Sequence, residues 1–441
     1  MSPPAGPRGL IVAAPASGSG KTTIVVGLLA ALRARGLAVA AAKVGPDYID
    51  PGFHAAASGR PSVNLDPWAM RSETLAALLG EMRTSDFVLC EAAMGLFDGV
   101  DAAGTASAAD LAARLGWPVV LVVDAGGQGA SIAALVEGFS RHRGDVHVAG
   151  VIANRVGSER HRALLAAALA RVSAVATLGL IGRDADLVRP SRHLGLVPAG
   201  ETPSLAAFVE RAGTVAAAAV DLDAVLALGR PAVLPAAGPT PGLPPLGQRI
   251  AVATDEAFAF AYPAMLAAWR SAGAELARFS PLADEPPAAD ADAVFLPGGY
   301  PELHAGRLAA ASRFRAGLHD AAGRGAAIYG ECGGYMVLGT GLVDAAGTRH
   351  AMAGLLPVET SFADRRLHLG YREVTLAAAA PFGPAGARLR GHEFHYARIV
   401  REDDDAPLFD ARSAAGEPLG PVGRRHGPVM GSFVHLVDRW A

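Results

Sequence analysis

Gly9-Leu10-Ile11-Val12-Ala13-Ala14-Pro15-Ala16-Ser17-Gly18-Ser19-Gly20-Lys21-Thr22-Thr23 commits the N-terminal half of the chain to one architecture. Gly9 to Ala16 is a short apolar run, a buried strand by composition. A glycine-rich loop follows, then an amphipathic helix to about Arg35, with Gly36 placed as its C-cap. Strand, glycine-rich loop and helix with Gly-Lys-Thr at the turn form a phosphate cradle. Backbone amides of Ser17, Gly18, Ser19, Gly20 and Thr23 hold phosphate oxygens, Lys21 reaches the outer phosphates, and the Thr22 hydroxyl ligates magnesium. The spacing G-x-x-x-x-G-K-[ST] is broken once, because Pro15 stands where the first glycine belongs. The expected ligand is ATP with Mg2+.

Further strand-like runs recur at α/β intervals: Ala38–Val44, Phe87–Ala93, Pro118–Ala125 and Val148–Arg155. Continuous Val/Ile/Leu/Ala strands suit a parallel sheet covered on both faces. In such sheets chemistry gathers beyond the carboxyl ends of the strands. After the second run come Lys43, Gly45, Pro46, Asp47, Tyr48, Ile49, Asp50 and Pro51; after the third come Glu91, Gly95, Asp98 and Gly99. Asp47 and Asp50 have a plainer reading as turn formers. Glu91, set between apolar residues at a strand end, requires a partner, and Glu91 and Asp47 read as metal ligands beside Thr22. Asn154 closes the last run where an amide could read a nucleotide base, an Asx-turn being the alternative. Arg189-Pro190-Ser191-Arg192-His193-Leu194-Gly195 offers a cationic loop for substrate carboxylates or phosphates, or plain solvated surface.

From Leu228 to Gln248 six prolines, including Pro231, argue against a regular element, so 229–248 reads as a linker between domains at 1–228 and 249–441. A second α/β pattern begins at Arg249–Ala253. Ala293–Leu296 runs into Pro297-Gly298-Gly299-Tyr300, whose glycine amides suit an oxyanion. Gly330-Glu331-Cys332-Gly333-Gly334-Tyr335 follows another apolar run and precedes a helix-like stretch. A thiol at a helix N-terminus is expected to have its thiolate favoured by the dipole and free amides, which prepares a nucleophile for acyl transfer. His435 is the preferred base, with His392 and His395 competing. As zinc ligands the latter two have the wrong spacing, so they read as pocket-lining or cross-strand residues.

Composition excludes several classes. A formal net charge of -3 leaves no footprint for nucleic acid or an anionic membrane. No run of about 18 residues is free of Gly, Pro or charged breaks, so no transmembrane helix is expected. Met1-Ser2-Pro3-Pro4 leads directly into a strand pattern rather than a signal peptide, and the two cysteines, Cys90 and Cys332, make no disulfide framework. A cytoplasmic protein is expected.

The phosphate loop, Lys43-Val44-Gly45-Pro46-Asp47-Tyr48-Ile49-Asp50-Pro51, His193-Leu194-Gly195-Leu196, Leu296–Tyr300, Gly330–Tyr335 and Gly391-His392-Glu393-Phe394-His395-Tyr396 occur in one order. Together they closely resemble the cobyrinic acid a,c-diamide synthases of cobalamin biosynthesis, including the hydrogenobyrinic acid form, from about Gly9 to His435. The resemblance implies an α/β protein of two parts: an N-terminal P-loop domain similar to dethiobiotin synthetase and a C-terminal class I glutamine amidotransferase domain. It implies Cys332 as nucleophile, His435 as its base and acid, and Gly299 and Gly333 at the oxyanion. Lys21, Thr22, Asp47 and Glu91 would hold MgATP, while Tyr48, Ile49, Asp50, Asp98 and His193 would meet the corrinoid substrate. The partners implied are ATP, L-glutamine and a tetrapyrrole acid, and a homodimer is one assembly open to it. Many class I amidotransferases carry a glutamate two residues after the histidine; Val437 stands there, and Asp438 would point away on a strand. The resemblance is therefore to a Cys-His dyad, with the orienter of His435 left unassigned.

The chemistry agrees. A carboxylate is a poor acyl donor, so phosphoryl transfer from ATP makes an acyl phosphate that ammonia attacks. Ammonia is mostly protonated at neutral pH, so a glutaminase supplies it on site, and a sheltered passage from Cys332 is expected. Rival readings are amidation of another tetrapyrrole acid, such as nickel-sirohydrochlorin or the cobyric acid synthase substrate, and a P-loop ATPase switch with an inactive amidotransferase module.

Overall fold

In the computed structural model, which describes residues 6–188, 191–192, 195–233, 242–403 and 406–440, the chain divides into two units. Residues 1–68 and 72–239 form one, and 69–71 with 240–441 form the other.

The first unit is built on β1 (Arg8–Ala13), β2 (Val39–Val44), β3 (Val63–Leu65), β4 (Phe87–Glu91), β5 (Val119–Asp124), β6 (Val148–Val156) and β7 (Ala176–Gly182). They lie in the order β3-β2-β4-β1-β5-β6-β7, all parallel. β1, β2 and β4 are buried almost throughout, as strands covered on both faces must be. β1 is followed by α1 (Lys21–Ala34), and β2 by α2 (Asp50–Ser58). Gly36 follows α1 in the left-handed region, φ 85°, a conformation that favours glycine. The chain crosses from β1 outward on both sides, so the loops after β1, β2 and β4 converge at one end of the sheet.

Pro231 corrects the reading of the proline-rich stretch. Arg230–Pro231 pairs antiparallel with β1, opposite Arg8 and Gly9. The ladder tolerates proline because its bonds run through neighbouring amides: Ala232 N donates to Pro7 O at 2.9 Å, and Gly6 N donates to Ala232 O at 3.1 Å.

The second unit holds a ten-stranded sheet. Glu275–Phe279, Arg249–Ala253, Ala293–Leu296, Ala327–Glu331 and Val429–Ser432 run parallel in that spatial order. Antiparallel strands continue the sheet and end on Arg388–His395 beside His435–Trp440. Phe433 and Val434 alone separate Ser432 from His435. The far end of the sheet therefore curls back to the strand that carries Cys332. Leu243 and Leu246, from the end of the proline-rich stretch, pack into this unit's core with Ile250, Trp269 and Leu389.

Candidate functional site

Two constellations form, one in each unit. In the first, Gly18 and Gly20 take φ of 79° and 90°, which lets the loop after β1 turn its amides inward. Asn154 braces this loop rather than standing free: its side-chain amide donates to Ser19 O at 3.0 Å, and its carbonyl accepts from Arg155 N at 2.9 Å. Lys21 is buried and donates to Met94 O at 2.6 Å. Burial lowers its pKa, while Glu91 opposes the shift.

Lys43, at the end of β2, is 2 % exposed and lies among three carboxylates. Its ammonium contacts Asp50, Glu91 at 3.1 Å and Asp47 at 3.5 Å. Burial alone would lower its pKa, but Asp50, Glu91 and Asp47 hold it well above the usual lysine value. Glu91 accepts from Thr22 Oγ1 at 2.7 Å and meets His54 Nε2 at 2.6 Å. Burial would raise the Glu91 carboxyl, yet Lys43 and the bonds from His54 and Thr22 bring it down to about 2. Burial, then Asp47, pushes Asp50 up. Asp47 is both turn former and cluster member: Oδ1 accepts from Ile49 N at 2.8 Å and Asp50 N at 3.1 Å, leaving Oδ2 toward Lys43.

The remaining expected residues lie close by or apart. Tyr48 is half-buried in the loop after β2, and Ile49 is buried at 7 % exposure, so it shapes the loop from within. Asp98 accepts from Gly95 N at 2.8 Å, in a turn close to the phosphate loop: a Cβ on Gly95 would meet Pro15 O at 2.7 Å. His193 lies outside the described residues. Sequence reasoning missed His54, one helical turn after Asp50, and Asn64, whose amide holds Gly45 O and Asp47 O at 2.8 and 2.7 Å. Among the described residues, no group of three His, Cys, Asp or Glu side chains is arranged to cage a metal. Magnesium usually takes only one or two carboxylates plus substrate phosphates. Thr22, Asp47 and Glu91, with Asp50, converge as hard oxygen donors and fit that use.

In the second unit Cys332 sits at the end of the strand Ala327–Glu331 and caps the six-residue helix Gly333–Leu338. Its backbone is strained, φ 47° and ψ -101°, a conformation that costs about 1–3 kcal/mol and marks nucleophile elbows. The chain clears space around it with glycine. A Cβ on Gly298 would lie 2.5 Å from His435 Cε1 and 3.5 Å from Cys332 Cβ, and one on Gly334 would lie 1.9 Å from Leu296 O. The Gly333 Cβ position is 3.0 Å from Gly299 N, so the two expected oxyanion glycines are neighbours. His435 pairs across the strands with His392, their rings stacked at 4.9 Å, and His392 Nε2 meets the Tyr262 hydroxyl at 2.9 Å. His395 pairs with His368 instead.

The expected resting thiolate is corrected. Cys332 is 3 % exposed, and burial, then Glu302, pushes its thiol well above the usual range, with only the Gly333 amide bond opposing. Six helical residues supply too little dipole to offset that desolvation. Cys332 is therefore held as a neutral thiol, with His435 on the other side of the gap that Gly298 leaves open.

Comparison with known proteins matches both halves. Residues 10–197 fit the CobQ/CobB/MinD/ParA nucleotide binding domain, and 249–439 fit the CobB/CobQ-like glutamine amidotransferase domain. A hydrogenobyrinate a,c-diamide synthase from Rhizobium meliloti (strain 1021) is 57% identical over 98% of this chain and 99% of its own. Enzymes with the same name from Sinorhizobium sp and Brucella abortus biovar 1 (strain 9-941) are each 56% identical over 98% of both chains. The chain belongs to the hydrogenobyrinate a,c-diamide synthase family. Members of this family are glutamine-dependent carbon–nitrogen ligases, which accounts for a phosphate loop and a thiol elbow in one chain. No helix among the described residues is long and apolar enough to cross a membrane.

Val437 stands where many class I amidotransferases carry a glutamate, and the next residue is engaged elsewhere. Asp438 is fully buried and accepts from Arg71 Nε and Nη2, at 3.2 and 3.0 Å, and from the Arg71 amide at 2.9 Å.

Proposed function

We propose that this chain converts the a and c acetate carboxylates of hydrogenobyrinate to amides, using ATP and glutamine. One observation carries the reading: a cysteine on a strained elbow with a histidine beside it lies in the same chain as a phosphate loop facing buried carboxylates.

In the amidotransferase unit, Cys332 Sγ attacks the side-chain carbonyl of glutamine while its proton passes to His435. Gly299 and Gly333 stabilise the oxyanion. His435 returns the proton to the leaving nitrogen, the C–N bond breaks, and ammonia departs; water then releases glutamate from the thioester. In the other unit a carboxylate oxygen of the corrinoid attacks the γ-phosphorus of ATP, and ADP leaves. Lys21 exchanges its Met94 carbonyl for phosphate oxygens and follows the charge onto the transferred group. Ammonia attacks the acyl phosphate and phosphate leaves. Thr22, Asp47 and Glu91 would hold magnesium, which neutralises phosphate charge when bound. Lys43 keeps Glu91 and Asp50 in place, and Tyr48, Asp50 and Asp98 face the substrate.

The names of the relatives favour the metal-free corrinoid. Incubation of the purified protein with MgATP, glutamine and either hydrogenobyrinate or its cobalt form, read by mass spectrometry, tests this. Two hydroxyl-to-amino exchanges on the metal-free compound support it. Exchange on the cobalt form alone, or ATP hydrolysis without exchange, overturns it.

A further inference from the structure

The residue immediately before Cys332 is a buried carboxylate that reaches the backbone and ring of the His435 strand. Glu331 is 2 % exposed at the end of its strand. Its Oε1 accepts from Leu436 N at 3.1 Å, gripping the backbone one residue beyond His435, and from the Tyr329 hydroxyl at 3.1 Å. Its Oε2 lies 3.6 Å from His435 Nδ1. We propose that Glu331 is the positioning residue for His435, orienting the ring through Nδ1 and balancing the imidazolium formed during glutamine hydrolysis. This rests on the reading of Cys332 and His435 as a glutaminase pair.

The groups around the ring give Glu331 that task. His392 covers one face, and burial, then His435, keeps it neutral with a pKa well below the usual value. His395, also buried and held at about 3, stacks on Phe433 at 3.9 Å. Glu331 faces His435 within ion-pair distance. A proton on Nδ1, the nitrogen that faces Glu331, would leave the Nε2 lone pair for the thiol, and the Gly298 contact lies on that side of the ring. Strand alternation explains the geometry. Glu331 pairs with Ser432, and the Ser432-to-His435 turn brings the histidine back over the same strand end. A carboxylate two residues beyond His435 is therefore not needed.

The test separates charge from support. Glu331→Gln keeps volume and an acceptor oxygen but removes the charge. The glutaminase kcat falls about 10²-fold or more, with KM for glutamine within about 3-fold. Without the carboxylate the imidazolium is less favoured, so the acid limb of kcat/KM moves to lower pH. Amidation from ammonium salts persists. Tyr329→Phe, which removes support but not charge, stays within about 3-fold of the wild type, and Glu331→Asp restores part of the loss. Wild-type kcat in Glu331→Gln, or equal losses in both variants with an unmoved acid limb, overturns the assignment. Cys332→Ala is run alongside. Glutamine hydrolysis by that variant overturns the glutaminase reading itself, whereas its inactivity beside an active Glu331→Gln removes Glu331 alone.

Discussion

The two sites of this chain are prepared by opposite means. The phosphate-loop site is held by charge: one buried ammonium, Lys43, ties Asp47, Asp50 and Glu91 together, and His54 and Thr22 fix the last of these. The thiol site is held by shape: a strained cysteine backbone, glycines where any side chain would collide, and a buried, neutral thiol. Phosphoryl transfer builds charge on its oxygens, and here charges are already in place. Acyl transfer to a buried neutral thiol depends instead on shape and on a proton that moves during attack.

That contrast can be broken by substitution, and the largest effect falls on Lys21. Lys21→Ala should lower amidation on the order of 10³-fold with either nitrogen source, while glutamine hydrolysis continues. Equal loss of both activities would mean the sites are not separable. Gly298→Ala should act on the other site alone. Its Cβ, 2.5 Å from His435 Cε1, displaces the ring, and glutaminase falls about 10²-fold while ammonium-dependent amidation survives. An unchanged rate would show that shape is not what prepares the thiol.

Lys43→Met should act on stability as well as rate. It leaves buried Glu91 with only His54 and Thr22, and half-buried Asp50 without its lysine, at a cost of about 3–5 kcal/mol to the first unit in urea titrations, with glutaminase unaffected. A stability within about 1 kcal/mol of the parent would show that the carboxylates do not need the lysine.

Acid should sort the two units by the same logic, with a smaller effect. His395, lowered first by burial to about 3, stays neutral when folded but protonates near 6.5 when unfolded. The second unit therefore loses about 1.4 kcal/mol per pH unit from this group as pH falls from about 6.5 toward 3. Glu91, held at about 2, contributes stability above its unfolded value of about 4.3, lost only as pH falls below that. Hydrogen exchange, corrected for intrinsic rates, should loosen Arg388–His395 before β1 on acidification. The reverse order would contradict the charge assignments.

Much of this was legible in sequence. The parallel sheet followed from apolar runs at regular spacing, the phosphate loop from Gly-Lys-Thr at a strand-to-helix turn, and the elbow from Cys332 between glycines. What was hidden depended on partners brought from elsewhere. Lys43 looks like a strand end until Asp50 and Glu91 close on it, and His54 is one more helical residue until β4 lies opposite. Pro231 joins a sheet because Ala232 and Gly6 supply the amides. The thiol's charge state was misread because helix position is visible in sequence and desolvation is not. The approach of Glu331 to His435 needed the curled sheet that returns the histidine to it.

The division of labour is tested most directly by Cys332→Ala assayed with hydrogenobyrinate and MgATP, once with glutamine and once with ammonium salt, counting amide groups by mass spectrometry. Two amidations from ammonium and none from glutamine is the expected result. Loss with both nitrogen sources, or diamide formed from glutamine, would contradict it.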